Sequence, residues 1–272
     1  MRMHSSSRRS ARAAFAPALA LALSLALSLS AARAGAQPLT GVARWADSAR
    51  VLIEASNVKA DQPALEQALA ILDRVLTVTP DEPMLLHYKG YALFRQGGFL
   101  MGANRMKEAK EVLEAADATL EQSAKKLPWP ETYALRAATL GQIIGADGGN
   151  PMTAMRNGML SGSLMDRAVE LGPDNPRVWV LKGSGEFHTP RMFGGGAENA
   201  EKSLQKARAL LANDKPAPPR PSWGELDLHL WLGQVYAQLG RKEEARAEYQ
   251  AVLAIAPGHP WVRNVLLPQL DR

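Results

Sequence analysis

The feature that most constrains the fold is a pattern of small and bulky residues that recurs five times along the chain. In each copy an Ala or Ser is followed four residues later by a bulky apolar residue, and three residues after that by Ala or Val. These spacings place all three on one face of an α-helix, where the small side chains let a second helix approach closely. The copies begin at Ala68, Ala109, Ser161, Ala200 and Ala245. Recurrence at intervals of 39 to 52 residues predicts an array of similar helical units.

Short connectors bracketed by prolines separate these units, at 80–83, 128–130, 173–176 and 257–260. The first proline of each pair ends one helix, and the second suits the first turn of the next helix, where a missing N–H costs nothing. Glycine-rich segments at 97–104, 145–150 and 189–196 are expected to be long turns, and the proline-rich segment 215–221 a stiff connector. The helices are expected near 42–58, 63–78, 83–97, 104–126, 130–145, 151–171, 176–188, 197–212, 224–239 and 241–256, with a last helix near 260–270 that caps the array.

The first 36 residues have the layout of a secretory signal peptide. Four arginines near the start precede an apolar run at 18–29, and Ala34-Gly35-Ala36 matches the small-x-small pattern of a cleavage site. The apolar run is too short for a comfortable membrane span. We therefore expect cleavage after Ala36, a mature domain of residues 37–272 without a membrane insertion, and a periplasmic or secreted protein.

The composition narrows the classes of partner and of chemistry. Residues 1–36 carry five of the 32 basic residues and none of the 27 acidic ones, so the remaining chain is balanced at 27 of each. A nucleic-acid partner, which requires a clustered basic excess, is therefore not expected. The chain has no cysteine, which excludes disulfides and thiolate metal sites.

The last full unit resembles the tetratricopeptide repeat (TPR). Leu232-Gly233, Tyr236, Gly240 and Tyr249 stand at that motif's offsets, together with Trp231, Ala245 and Pro257. The unit at 175–211 shares the register in part, so 175–211 and 226–259 are the clearest repeats. The resemblance implies an all-α protein, a right-handed α-solenoid of about five helical hairpins plus a C-terminal capping helix, with expanded glycine-rich turns inside the hairpins.

In TPR arrays the first helix of each pair lines a concave groove, and the resemblance assigns the groove residues of this chain. Carried over onto this sequence, the groove positions that suit capture of a peptide are Met84, His87, Tyr91, Phe94, Arg95, Glu131, Gln142, Arg177, Ser184, Phe187, His188, Asp227, Gln234 and Gln238. Three small groove positions, Ala134, Ala138 and Gly141, leave room for a deeper floor. Aromatic, arginine and amide side chains suit an extended peptide.

The sequence thus predicts a non-catalytic interaction module or scaffold that binds a protein or peptide segment in the concave groove. The alternative is a small-molecule binding accessory protein of a transport system, which a closed apolar pocket at Ala134, Ala138 and Gly141 would favour. A third possibility is an enzyme whose site is assembled across repeats, for example around His87, Arg95 and Glu131. The partner and the oligomeric state are left open.

No motif in the sequence predicts a cofactor, a metal or a catalytic residue. The mature histidines lack the close helical spacing with a carboxylate that a helical zinc site requires. Phe193-Gly-Gly-Gly196 precedes a helix, but no Lys-Ser/Thr follows it, and we interpret it as a structural turn. Met152, Met155 and Met159 share one helical face, which favours packing in the core over binding of a soft metal.

Overall fold

The structure is a computed structural model that describes residues 41–59 and 61–272, which belong to one compact unit, Thr40–Arg272. The predicted signal peptide lies outside the described residues. The helices are α1 Gly41–Lys59, α2 Gln62–Leu76, α3 Pro83–Gly102, α4 Met106–Lys126, α5 Pro130–Ala146, α6 Pro151–Leu171, α7 Pro176–His188, α8 Ala197–Leu211, α9 Glu225–Gln238, α10 Lys242–Ile255 and α11 Leu267–Leu270. Consecutive helices from α1 to α10 pack as five pairs. The predicted all-α solenoid is confirmed.

The two helices of each pair pack along the face of small residues that the sequence pattern predicts, which we call the seam. In the fourth pair a Cβ on Gly183 would lie 2.6 Å from Leu204 Cγ, and in the fifth a Cβ on Gly233 would lie 2.3 Å from the ring of Tyr249. The glycines therefore admit a bulky side chain of the second helix directly against the backbone of the first. The small residues that begin four of the five copies are fully buried, namely Ala68, Ala109, Ala200 and Ala245.

The first expected glycine-rich turn is shorter than the sequence suggests. Helix α3 continues through Gly97 and Gly98 to Gly102, so the turn before α4 spans only residues 103–105 and reverses at Asn104, whose φ is 59°. A Cβ on Gly97 would lie 2.5 Å from Leu113, so this glycine serves close packing of α3 against α4. The expectation of a turn from 97 was wrong because glycine inside a helix and glycine in a turn look alike in sequence.

The methionine face of α6 is exposed, not buried in the core. Met152, Met155 and Met159 are 70%, 60% and 75% exposed, because α6 turns its other side, with Leu164 and Ala168, toward its neighbours. Packing in the core was the wrong expectation for these three residues.

The array ends in a short helical segment beyond α10. A π-helical turn, Val262–Leu266, leads into α11, and Val262, Leu266 and Leu270 are buried. This segment covers the end of the last hairpin, as the sequence predicts. In the part of the chain that the structure describes, no helix is long and apolar enough to span a bilayer.

Candidate functional site

The connector between α8 and α9 lies against the faces of α1, α3 and α7. We call its residues Asp214–Trp223 the strap. The strap forms neither helix nor strand and contains one turn, in which Arg220 N donates to Ala217 O at 3.0 Å. Four of its ten residues are proline. The sequence predicts a stiff connector here, but not what it contacts.

The strap is joined to the first hairpin at Ser222. The backbone N of Ser222 donates to Glu54 Oε1 at 2.9 Å, and its hydroxyl donates to Glu54 Oε2 at 2.7 Å. Arg50 Nη1 donates to the same hydroxyl at 2.7 Å and pairs with Glu54 at 2.8 Å. A residue at the end of the strap is therefore fixed to α1 by three hydrogen bonds.

Two buried tyrosines of α3 hold the middle and the end of the strap. Tyr88 donates its hydroxyl to the carbonyl of Pro219, and Tyr91 stacks on Trp223 with ring centroids 5.3 Å apart. Asn57 Nδ2 donates to the Tyr91 hydroxyl at 3.0 Å. Burial raises the pKa of both tyrosine hydroxyls well above the usual value, so both stay protonated and available as donors.

Arg177, at the start of α7, forms hydrogen bonds with both ends of the strap. Its Nη1 and Nη2 donate to the two carboxylate oxygens of Asp214 at 2.7 and 2.9 Å, and Nη1 also donates to the carbonyl of Trp223 at 3.3 Å. The Arg177 side chain is only 4% exposed, and its Nε lies 3.6 Å from Glu131 Oε1. Arg177 thus stands between two carboxylates, in the bidentate geometry that favours arginine over lysine.

His87 lies nearby in a fully buried position and is uncharged at neutral pH. Its Nδ1 is 2.8 Å from Thr132 Oγ1, and its ring meets that of Trp129 edge-on at 5.3 Å. Burial lowers the pKa of His87 to about 4, although the charge of Glu131 acts in the opposite direction. A neutral histidine enclosed in this way is a packing residue.

Arg95 pairs with Asp227 rather than joining His87 and Glu131. Its Nη2 donates to both oxygens of Asp227 at 2.9 Å, which connects the end of α3 to the start of α9. Burial alone would lower the pKa of Arg95, but the attraction of Asp227 and the contact with Tyr91 raise it above the usual value. The candidate groups of an enzyme site are therefore engaged in structural pairs.

A second region of the predicted groove is open. At the end of α7, Phe187 and His188 meet the ring of Trp231 at centroid distances of 6.0 and 5.3 Å. Met192 and Phe193, in the turn that follows, are 82% and 72% exposed. We call the cavity of about 580 Å³ at this place the open cleft; it is lined by Phe187, His188, Thr189, Pro190, Arg191, Gly196, Ala197, Glu198, Gln238 and Leu239.

Other predicted groove residues serve the fold. Met84 and Phe94 pack on the core, Ser184 donates to Leu181 O at 2.9 Å, and Gln234 donates to Leu230 O at 3.4 Å. Gln142 is half-buried. The sequence reasoning missed the residues of α1, α3 and the strap that form these contacts, and the ring that packs against Phe187 and His188. They are Arg50, Glu54, Asn57, Tyr88, Asp214, Trp223 and Trp231.

The described residues show no metal cluster, and neither the open cleft nor a second cavity lies where the alternative requires a pocket. No group of three or more His, Cys, Asp or Glu among them is placed to hold a metal ion. A cavity of about 340 Å³ lies between α2, the end of α3 and α4. Neither this cavity nor the open cleft is lined by Ala134, Ala138 or Gly141.

Comparison with known proteins agrees with this architecture. The tetratricopeptide repeat family matches residues 226–259. The HusA haemophore from Porphyromonas gingivalis is similar at 21% identity and a TM-score of 0.57, over 73% of this chain and 96% of that one. A thermophilic TPR protein of Thermus thermophilus is similar at 16% identity and a TM-score of 0.56, over 84% of this chain and 100% of that one. At these identities the likeness shows the fold alone. No curated protein matches the sequence. Residues 226–259 are thus a tetratricopeptide repeat, and the described chain has the fold of an all-α solenoid of helical hairpins.

Proposed function

We propose that this protein is a non-catalytic interaction module that binds a segment of another protein, with the open cleft as the place of first contact. The observation that carries the proposal is the cleft itself. It combines the Phe187 ring, an exposed histidine, an exposed amide and a charged pair at the end of a TPR hairpin. A cleft of this size, open to solvent and lined by both polar and apolar groups, suits recognition of a protein segment.

The charged groups of the predicted groove support a binding role over catalysis. Arg177 forms ion pairs with Asp214 and Glu131, and Arg95 forms one with Asp227. His87 is buried and neutral. A catalytic acid or base has to reach a substrate, and none of these side chains has a free polar face toward the open cleft. The function we infer is therefore recognition.

The test is affinity capture with the protein starting at Gln37, from an envelope extract of its own organism, followed by mass spectrometry. The variant His188→Ala/Phe193→Ala removes one exposed side chain that lines the open cleft and one in the turn beside it. The control Met155→Ala/Met159→Ala removes exposed apolar surface from α6. We expect a reproducible partner that the control retains. The cleft variant should bind it roughly 30-fold more weakly, equivalent to about 2 kcal/mol at an interface hot spot.

Equal capture by the wild type and both variants would overturn the cleft assignment. Because one structural neighbour is named a haemophore, haemin is added to the same three preparations as a small-molecule probe. A Soret shift that the cleft variant loses, without any captured protein, would favour the small-molecule alternative.

We also propose that the protein is exported and processed. The basic start, the apolar run and Ala34-Gly35-Ala36 support this. N-terminal sequencing of the protein isolated from its own cells is expected to begin at Gln37. An intact Met1 would contradict export by this route.

A further inference from the structure

The surface formed by α1, α3 and α7 holds the strap through its backbone, through the side chains of Asp214 and Ser222, and through one ring. Tyr88 and Arg177 donate to carbonyls of Pro219 and Trp223, and Glu54 accepts from the backbone N of Ser222. Tyr91 supplies a flat face for the Trp223 ring. Contacts of this kind do not depend on most of the strap's side chains, so they are open to another segment with the same backbone form.

The strap has the composition of a ligand for such a surface. Its four prolines restrict the free backbone and remove four N–H donors, and two of its carbonyl oxygens, those of Pro219 and Trp223, accept hydrogen bonds from the helices. Proline-rich segments bind aromatic-lined surfaces because little conformational entropy is lost on binding. The tyrosines of α3 and the guanidinium of Arg177 provide the matching ring and donors.

The strap is held at few points and imperfectly. Of its ten residues, only Pro221 and Trp223 are buried, while Lys215, Ala217, Pro218, Arg220 and Ser222 are exposed. Arg177 Nε and Trp223 Nε1 are buried without a hydrogen-bond partner. An unpaired buried N–H is unfavourable. A partner segment whose aromatic side chain has no unpaired N–H would therefore avoid a cost that Trp223 imposes on the strap.

We propose that the strap is a built-in occupant of the partner-binding surface. It covers the part of that surface formed by α1, α3 and α7 until a proline-rich, non-helical segment of a partner, carrying an aromatic side chain for Tyr91, replaces it. This inference rests on the proposed function, since it names the chemistry of the partner. The open cleft is the region the partner reaches before the strap is released.

The test supplies the strap as a separate molecule. The probe is a fluorescein-labelled peptide with the sequence of residues 214–223, and the receptor is a variant whose residues 215–223 are replaced by a Gly/Ser segment of equal length. A tethered strap acts at an effective concentration on the order of mM. A peptide that binds the variant at tens of μM should therefore bind the unaltered protein about tenfold or more weakly, as measured by fluorescence anisotropy.

The specificity control is a matched peptide with the substitution Trp223→Ala. We expect it to bind the variant about tenfold more weakly than the unaltered peptide does. A variant that keeps wild-type helicity by circular dichroism and binds neither peptide would overturn the proposal. Equal binding of the peptide by the variant and the unaltered protein would also overturn it.

A second experiment applies even if the replaced strap prevents folding. The chain has no cysteine, so Ser222→Cys and Glu54→Cys allow a bismaleimide to fasten the strap to α1. We expect the fastened protein to capture less of the partner found under the proposed function than the same variant without crosslinker, which is the reference because Glu54 itself belongs to the proposed surface. Equal capture by both would overturn the inference and leave cleft binding intact. Binding of the strap peptide without any captured protein would instead remove the proposed function and retain the strap as the surface's occupant.

Discussion

The two ends of α7 show how one repeat surface serves two purposes. At its start, Arg177 is buried and fixed by Asp214, Glu131 and the strap, while eleven residues later, roughly 16 Å along the axis, His188 faces an open cleft. The polar groups at the start are engaged by the protein's own connector. Those at the end are free to meet another molecule. The repeat register therefore indicates which face of the array a side chain lies on. It does not indicate whether another segment of the same chain already binds that side chain.

The largest expected effect is at the covered end. Arg177→Met keeps an apolar stem but leaves two carboxylates without their cation, and breaking a buried pair in this way costs about 3–5 kcal/mol of unfolding free energy. Urea unfolding measures it. The control is Arg191→Ala, whose ion pair with Glu198 is exposed and should change stability by about 0.5 kcal/mol or less. Similar losses in the two variants would contradict the distinction between the ends.

The largest pH dependence of stability from a histidine is expected at the covered end, although burial also lowers the pKa of His188 at the open end. Since burial depresses the pKa of His87 from 6.5 to about 4, the unfolded chain binds a proton at this site in the window between these values and the folded chain does not. Stability should fall as the pH falls through that window, by about 3 kcal/mol in total. The measurement is urea unfolding at several pH values. The variant His87→Gln should lack this component, and an unchanged slope in the variant would show that another group is responsible.

Two glycines in the middle of α7 separate its packed side from its open side. A Cβ on Gly183 meets Leu204 at 2.6 Å and the carbonyl oxygen of Ala200 at 3.2 Å, whereas a Cβ on Gly185 meets nothing within 4 Å. Gly183→Ala should therefore cost about 1–3 kcal/mol by overpacking. Gly185→Ala should gain roughly 0.5–1 kcal/mol from helix propensity. Thermal unfolding of the two variants tests this prediction. A change in stability of the same sign in both would show that α8 moves enough to accept a Cβ at position 183.

The smallest effect on stability is expected at the open end. His188→Ala/Phe193→Ala removes side chains that are already exposed, so the unfolding free energy should change by about 0.5 kcal/mol or less. Partner binding, in contrast, should be weakened roughly 30-fold. A large loss of stability in this variant would mean that the cleft is part of the core and that the comparison between the two ends fails.

The helices and their seam were predictable because their information is local. The spacing from Ala200 to Leu204, and the proline at each helix start, act within a few turns of chain. The repeat register also indicated that Arg177 and Asp227 belong to the same side of the array. The strap contacts were not predictable, because no periodicity relates Tyr91 to Trp223 across 132 residues. In sequence, the connector that contains Trp223 resembles any proline-rich linker.

The bond between Arg50 and Ser222 joins positions 172 residues apart. In a simple repeat array each unit touches only its neighbours, so the end units fray first and folding can begin anywhere. Here the strap joins the first hairpin to the chain just before the last one, and Arg95 of the second hairpin pairs with Asp227 of the last hairpin. The first hairpin cannot peel away without breaking these contacts. Contacts between such distant positions must also wait for a large loop to close, so they form late in folding and make the array unfold as one cooperative body.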